Sequence, residues 1–482
     1  MLQPHSPELQ FHRKPPNFAM NSGQSQISSN PRLWLLGLFL LIQFLFIYIT
    51  RNSPICFPER ATAAAGAAVT ENANIPNTTS HQDCPAGKVY VYNLPPEFNK
   101  DLVLHNCSDL NPWNWQCGIA TNHGFGRPAA ELRRVLPWSL AGSWYRTNQF
   151  SLEVIFHHRI LNYKCRTRDP DSAAAFYIPF YAGLAVGKHL WNNDTALRDR
   201  RAAAALRWLA QHKQWRKSNG SDHFTAIGRI TWDFRRLTDP DQIWGSTFLN
   251  MPEMQRVTRF IIEKSPADDH DVGVPYPTGF HPKDSKALIE WQRYARGHNR
   301  SKLFTFIGAT RGWVSNDFRG ILLRHCLNES SCRMVDCSAA ECSTDTAVVV
   351  TAFLESEFCL QPIGDSFTRR SVFDCMLAGS VPVFFWTRTA YEQYEGFLPG
   401  EGEAESYSVF IEHEEVRAGN CTVKEVLMRY GKEEIARKRE KIVESIIPRI
   451  IYGFGGIKDA FEIAVDGVLE RIKEERGWND FL

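Results

Sequence analysis

Residues 357–385, EFCLQPIGDSFTRRSVFDCMLAGSVPVFF, decide how this chain folds. Phe358, Cys359 and Leu360 form a short apolar run that stops at Pro362-Ile363-Gly364, the pattern of a buried strand entering a turn. Asp365 or Ser366 stands where a helix is capped, and Gly379 stands where it ends. Val381 to Phe385 is a second buried run, β-branched and aromatic. Strand, turn, helix, strand is a βαβ unit. In such units ligands sit beyond the carboxyl ends of the strands, against helix N-termini.

The helix carries a distinctive face. Ser366, Arg370, Asp374 and Ala378 are four apart and share one side, while Phe373, Met376 and Leu377 turn towards a sheet. One turn of helix separates Arg370 from Asp374 by ~6 Å along the axis. That spacing suits a diphosphate at the helix start and a ribose one turn on. Arginine offers phosphate a planar fork, and a carboxylate accepts hydrogen bonds from two sugar hydroxyls. The same face also reads as an ordinary exposed ion pair, and the stretch alone leaves both readings open.

Working outward, the pattern repeats. In the same half, Lys302 to Ile307 is a strand followed by Gly308-Ala309-Thr310-Arg311, where Arg311 is a second phosphate candidate or a surface charge. Ala347–Thr351 and Tyr407–Ile411 read as further strands, and 432–474 as helical with a break at Tyr452–Gly456. Upstream, the strands are 88–92, 173–180 and 223–228, and the helices 149–158 and 194–215. Pro/Gly-rich 273–279 and polar 297–301 flank a short helix containing Trp291 and separate the halves. Such alternation predicts parallel, doubly wound sheets. The expected fold is therefore α/β with GT-B architecture, the arrangement of sugar-nucleotide transferases. A first Rossmann-like domain covers 86–295, a second 296–440, and a helical tail 441–482.

Residues 33–49, LWLLGLFLLIQFLFIYI, are uncharged and at the lower length limit for a membrane span. They predict a signal anchor between a cytosolic tail, 1–32, and a luminal stem, 50–85. Seven Asn-x-Ser/Thr sites follow the anchor and none precedes it: Asn77, Asn106, Asn193, Asn219, Asn299, Asn328 and Asn420. Cys326, Cys332, Cys337 and Cys342 lack paired C-x-x-C spacing, so disulfides in an oxidising lumen explain them better than zinc. Cys107 and Cys117 are a further candidate pair, and Cys375 reads as a buried free thiol. Net charge is +2, so nothing points to nucleic acid. The 14 Trp suit sugar stacking, although large cores use them equally.

Several phrases together resemble the plant exostosin-like glycosyltransferases, glycosyltransferase family 47. They are VYVYNLPPEFN (89–99), AAFYIPFYAGL (174–184), DHFTAIGRITWDFRR (222–236), VPYPTGFHP (274–282), LFTFIGATR (303–311) and the opening stretch. Within that family, 359–399 is similar to the xyloglucan galactosyltransferase clade, nearest to members that act on the second xylosyl position. The resemblance implies a single-pass type II Golgi membrane protein. It would transfer galactose from UDP-galactose to xyloglucan with inversion, acting beside other Golgi glycosyltransferases. The nucleotide-contacting acid of the family falls on Asp374. An arginine usual three positions earlier is Ser371 here, with Arg369 and Arg370 just upstream. Candidate donor contacts are thus Arg311, Gly364, Ser366, Arg369, Arg370 and Asp374.

Inverting transfer needs a base for the acceptor hydroxyl and stabilisation of departing UDP. His223 with Asp222 is the leading base candidate, since histidine titrates near neutrality; Asp233, His123 and Glu253 are alternatives. Asp169/Asp171, Asp239/Asp241 and Asp269/Asp271 have Asp-x-Asp spacing but lie in Asp-Pro turns or an acidic loop, so no cofactor or metal is expected. Trp232 and Tyr181 are candidates for stacking on acceptor sugars or for the core. Rival readings keep the fold but change the donor or acceptor (galacturonic acid, arabinose, mannan) or make the chain a non-catalytic subunit.

Overall fold

The computed structural model describes residues 84–479, apart from 105–106, 111–115, 238–243, 312–313, 315–316, 328, 339–341 and 343–344. The expected cytosolic tail, anchor and nearly all of the stem lie outside the described residues. Among the described residues no helix is long and apolar enough to cross a membrane.

Two parallel sheets follow one another along the chain. The first uses β1 (Val89–Val91), β4 (Arg166–Thr167), β5 (Ala175–Tyr177), β6 (His223–Ile230), β7 (Thr258–Glu263) and β8 (Asp271–Gly273), in the order β4-β1-β5-β6-β7-β8. A hairpin of β2 (Arg127–Pro128) and β3 (Tyr145–Arg146) leaves it as an excursion. The second sheet orders β9 (Lys302–Gly308), β10 (Cys332–Asp336), β11 (Ser356–Gln361), β12 (Val381–Phe384) and β13 (Val409–Phe410) as β10-β9-β11-β12-β13. Central strand β6 shows why these runs became strands. Its first seven residues are buried. Phe224 and Ala226 face a core shared with the second sheet, and Ile227 faces a separate cluster on the other side. A parallel strand covered on both faces reads as a nearly continuous apolar run.

The helices that position the site are α1 (Leu152–Leu161), α2 (Ala182–Gly187), α3 (Thr195–Leu209), α4 (Ser285–Gly297), α5 (Phe318–Leu327), α6 (Thr346–Leu354), α7 (Arg370–Leu377), α8 (Lys432–Lys441) and α9 (Ala460–Asn479). Some expectations fail here for visible reasons. Ala347–Thr351 is not a strand but the start of α6. Asp345 caps it by accepting from the Ala347 amide at 3.1 Å, and that local cap overrides the β-propensity of three valines. The 194–215 helix is broken, with a second helix at Lys213–Ser218. Helix α7 starts at Arg370, not at Asp365 or Ser366, because a turn intervenes in which the Gly364 amide donates to the Ser366 carbonyl at 2.7 Å.

Five disulfides join described residues: Cys84–Cys165, Cys107–Cys117, Cys326–Cys332, Cys337–Cys342 and Cys359–Cys375. Cys375 is therefore not a free thiol. It lies on the buried side of α7 against Cys359 of β11, a tertiary neighbour that spacing along the chain conceals.

Contacts between the halves are numerous and polar as well as apolar. Tyr394 donates to the Ile262 carbonyl at 3.0 Å, and the Lys264 amide donates to Gln393 at 2.9 Å. Trp291, fully buried in α4, donates to the Leu377 carbonyl at the end of α7 and packs edge-on against Trp144 of the excursion. Truncating a buried Trp of this kind costs about 3–5 kcal/mol. The tail is not separate either. Asp459 receives Arg159 of α1 at 2.5 Å, both side chains nearly solvent-free, and Arg476 of α9 reaches Asp222 at 2.8 Å. Breaking a buried pair such as Arg159–Asp459 costs about 3–5 kcal/mol, because the survivor stays charged and unpaired.

Candidate functional site

The carboxyl ends of β9 and β11 and the starts of α5 and α7 surround one cluster of guanidinium groups. The amide and Nε of Arg311 both bond Asp317, at 2.8 and 3.3 Å, and its Nη1 donates to the Gly364 carbonyl at 3.1 Å. Arg319 donates to the Ile363 carbonyl at 3.2 Å and stands 3.7 Å from Asp365, whose own side chain is 88% exposed. Arg369 donates through Nη2 to the Ile307 carbonyl at 3.2 Å, but its buried Nη1 has no hydrogen-bond partner among the described residues. Burial, with Arg319 adding repulsion, pulls the Arg369 guanidinium down to about 9. Three cations thus face two carboxylates, one of them largely in solvent. An unpaired buried donor costs about 1–3 kcal/mol, more when charged, and an anion would remove that cost.

The backbone leaves room for such an anion. A Cβ on Gly364 would stand 3.2 Å from Arg369 Cγ and 3.5 Å from Arg319 Nη2; one on Gly308 would stand 3.5 Å from Arg369 Nη2. Glycine at the end of β9 and in the turn after β11 keeps the cradle open. Next to it, Arg370 Nε bonds Asp374 at 3.0 Å, and Nη1 crosses to the first half, donating to the Thr147 carbonyl at 2.5 Å. Burial holds the Asp374 carboxyl above the usual aspartate range, and Arg370 only partly offsets it. Ser366 does not share this face, since it sits in the turn before the helix. Ser371 donates to Gln361 of β11 at 2.7 Å.

Two groups at this junction carry no motif. Arg319 is in the first turn of α5, where a cation opposes the helix dipole; that misplacement is the signal that could have found it. Glu263, at the end of β7, accepts from the Thr368 amide at 2.9 Å and the Thr368 hydroxyl at 2.6 Å, and Tyr276 bonds the same hydroxyl at 3.0 Å. The first half therefore fixes the residue just before Arg369 and Arg370.

The base candidates fare differently. His223 opens β6 at its amino end and is fully buried, with Nε2 2.8 Å from the Tyr92 hydroxyl and Nδ1 2.7 Å from Asp222. A strand of eight residues puts it roughly 25 Å from the carboxyl end where a sugar would bind. Asp222 is held there too by Arg476, so the pair locks α9 to β6 and cannot reach an acceptor. Glu253 lies near that same end, exposed, with its carbonyl beside Gly220. Asp233 is at the carboxyl end of β6 but closed: Arg229 donates to one oxygen at 2.6 Å and Trp244 to the other at 2.9 Å. His123 is exposed, left-handed at φ 62° and stacked on His158 at 3.6 Å. Tyr181 is buried against His157 at 3.0 Å, whereas Trp232 is 48% exposed.

Of the Asp-x-Asp pairs, Asp171 is 3.6 Å from Lys213 and Asp271 is shared by Arg259 and Arg235; Asp239 and Asp241 lie outside the described residues. Asn193, Asn219, Asn299 and Asn420 are exposed. Asn77, Asn106 and Asn328 are not among the described residues.

Residues 83–427 match the Exostosin GT47 domain. The chain belongs to this family. Among GT47 relatives, xyloglucan galactosyltransferase XLT2 of Arabidopsis thaliana is 51% identical over 82% of this chain and 77% of its own length. Xyloglucan galactosyltransferase MUR3 from the same plant is 38% identical over 82% of this chain and 63% of its own length. Xyloglucan-specific galacturonosyltransferase 1, also from Arabidopsis thaliana, is 39% identical over 81% and 58%. The solved GtfA/B complex covers 57% of this chain and 61% of its own at 9% identity and a TM-score of 0.28, too distant to carry weight.

Proposed function

We propose that this GT47 protein is an inverting galactosyltransferase of GT-B architecture that moves β-galactose from UDP-galactose to xylosyl side chains of xyloglucan. The observation that carries the reading is the 51% identity, over four-fifths of the chain, to a relative named for that activity. The guanidinium cluster agrees with it. In the transfer, the acceptor oxygen attacks the anomeric carbon as the bond from that carbon to the diphosphate oxygen breaks in line. The electron pair leaves with UDP, and the acceptor proton passes to a base. Negative charge grows on the diphosphate, beside Arg311, Arg319 and Arg369, in a site already organised to receive it. Arg370 and Asp374, one turn apart, serve the diphosphate and the ribose hydroxyls. Because guanidinium groups supply the countercharge, the reaction proceeds without a bound metal ion. The uncharged stretch 33–49 anchors the enzyme in the Golgi membrane with its body in the lumen, where the sequons are glycosylated.

The galacturonosyltransferase relative supports a second donor, UDP-galacturonic acid. A panel of UDP-sugars offered to the full-length protein with xyloglucan, followed by linkage analysis, decides between them. Galactose on the second xylosyl position is expected, with activity persisting in excess chelator. Galacturonic acid in its place keeps the site and replaces the donor. Failure to transfer any sugar while UDP still binds changes the acceptor, and failure to bind UDP makes the chain a non-catalytic subunit.

A further inference from the structure

The carboxyl-terminal rim of the first sheet carries aromatic and polar groups that the donor site does not use. Trp232 follows β6 and is 48% exposed, unusual for so large an apolar ring away from an interface. Its neighbour Asp233 fixes Trp244 through the indole N–H at 2.9 Å, and the Trp244 ring stands edge-on to Trp191 with centroids 5.6 Å apart. Arg198 of α3 ties both supporting loops together, donating to the carbonyls of His189 at 3.1 Å, Asn192 at 2.5 Å and Gly245 at 3.3 Å. Trp191 then lines an open surface cavity with Ser108, Asp109, Lys188, Asn192 and Asn193. Lys188 and Asp109 pair across it at 2.5 Å.

This is the chemistry that recognises carbohydrate. Flat indole faces match the C–H faces of β-linked pyranoses, while amide, hydroxyl and carboxylate groups match ring hydroxyls. The buried Asp233, paired on both oxygens, is a positioning residue that holds the Trp244 indole and so the rim.

We propose that the rim from Trp191 through Trp244 to Trp232 is a carbohydrate-binding surface on which the backbone of the acceptor polysaccharide lies. The proposal rests on the transferase reading above. The same chemistry would also accept a glycan carried on Asn193, which belongs to a sequon at the edge of the cavity, and the test separates the two sources.

Full-length protein carrying Trp191→Ala or Trp232→Ala is assayed against xyloglucan and UDP-galactose, each also in an Asn193→Gln background. The acceptor KM should rise about tenfold, as loss of a contact of about 1.4 kcal/mol gives. The donor KM should stay within twofold, and Trp232→Tyr should recover most of the affinity. The same rise should appear without the Asn193 sequon. An unchanged acceptor KM in both variants overturns the proposal, as does a rise that vanishes when the sequon is removed, which would assign the rim to the protein's own glycan. Should the unmodified protein transfer nothing to xyloglucan, the functional reading fails instead, and that outcome is read before any variant is made.

Discussion

The carboxyl ends of the two sheets are built on opposite electrostatic plans. At the carboxyl end of the first sheet three buried carboxylates, Glu153, Asp233 and Glu263, are closed by hydrogen bonds. Glu153 accepts from the amides of Gly183, Leu184 and Gly228, at 2.5, 3.4 and 3.2 Å. Asp233 holds Arg229 and Trp244, and Glu263 holds Thr368. At the second sheet Arg369 has an unpartnered nitrogen and Arg319 has only a distant, solvated carboxylate. A rim without spare charge suits a neutral chain of sugars. A rim with spare positive charge suits a diphosphate. The difference in pairing, more than the shared parallel topology, is what supports the two proposed ligand roles.

The largest test removes the spare charge. Arg369→Leu should lower kcat/KM by about a hundredfold or more, the scale of a lost charge-stabilising donor. Its melting temperature should not fall, since an uncompensated buried cation is gone; a fall with activity retained would make Arg369 a structural residue. Asp374→Asn comes next, with a rise in donor KM of about tenfold, as for one charged hydrogen bond lost. In the unsubstituted enzyme donor affinity should fall as acid protonates Asp374. Its raised position places that limb at higher pH than an ordinary aspartate would. The acid limb should be missing from the asparagine variant.

A smaller effect probes the seam between the plans. Thr368→Val keeps the amide bond to Glu263 but loses the hydroxyl bond, and should raise donor KM about threefold, from a lost hydrogen bond of ~0.7 kcal/mol. Thr368→Ser should restore it; equal kinetics in all three would break the link between the halves. The smallest effect is on stability alone. Burial pushes the Glu153 carboxyl up to about 7 from 4.5, despite its three amides. Between those pH values the unfolded chain releases a proton that the folded chain keeps, so stability from this group is greatest below pH 4.5 and declines up to pH 7. Glu153→Gln removes that decline. Its melting temperature should gain on the parent by about 2 °C between pH 5 and pH 8.

Much of the fold could be read from the residues, because parallel strands buried on both faces announce themselves as apolar runs. Phe304 to Ile307 and Val381 to Phe384 are such runs, and both are strands. The three valines of 348–350 misled for the same reason, their cap at Asp345 being a weaker signal than their β-branching. Arg370 and Asp374 were legible as a pair because helical spacing brings them together. Arg319 and Glu263 were not, since their partners lie 44 and 105 residues away and only tertiary packing joins them. His223 misled because sequence gives the chemistry of a side chain but not which end of a strand faces the ligand.

The return of α9 to the first half sets an order on biosynthesis. Asp222 and Arg159 emerge from the ribosome more than 250 residues before Arg476, and 300 before Asp459, respectively. While the second half is being made, the first must wait with a buried arginine and the amino end of its central strand uncovered. Any tag or truncation that disturbs the last twenty described residues would be felt first in the half of the protein synthesised earliest.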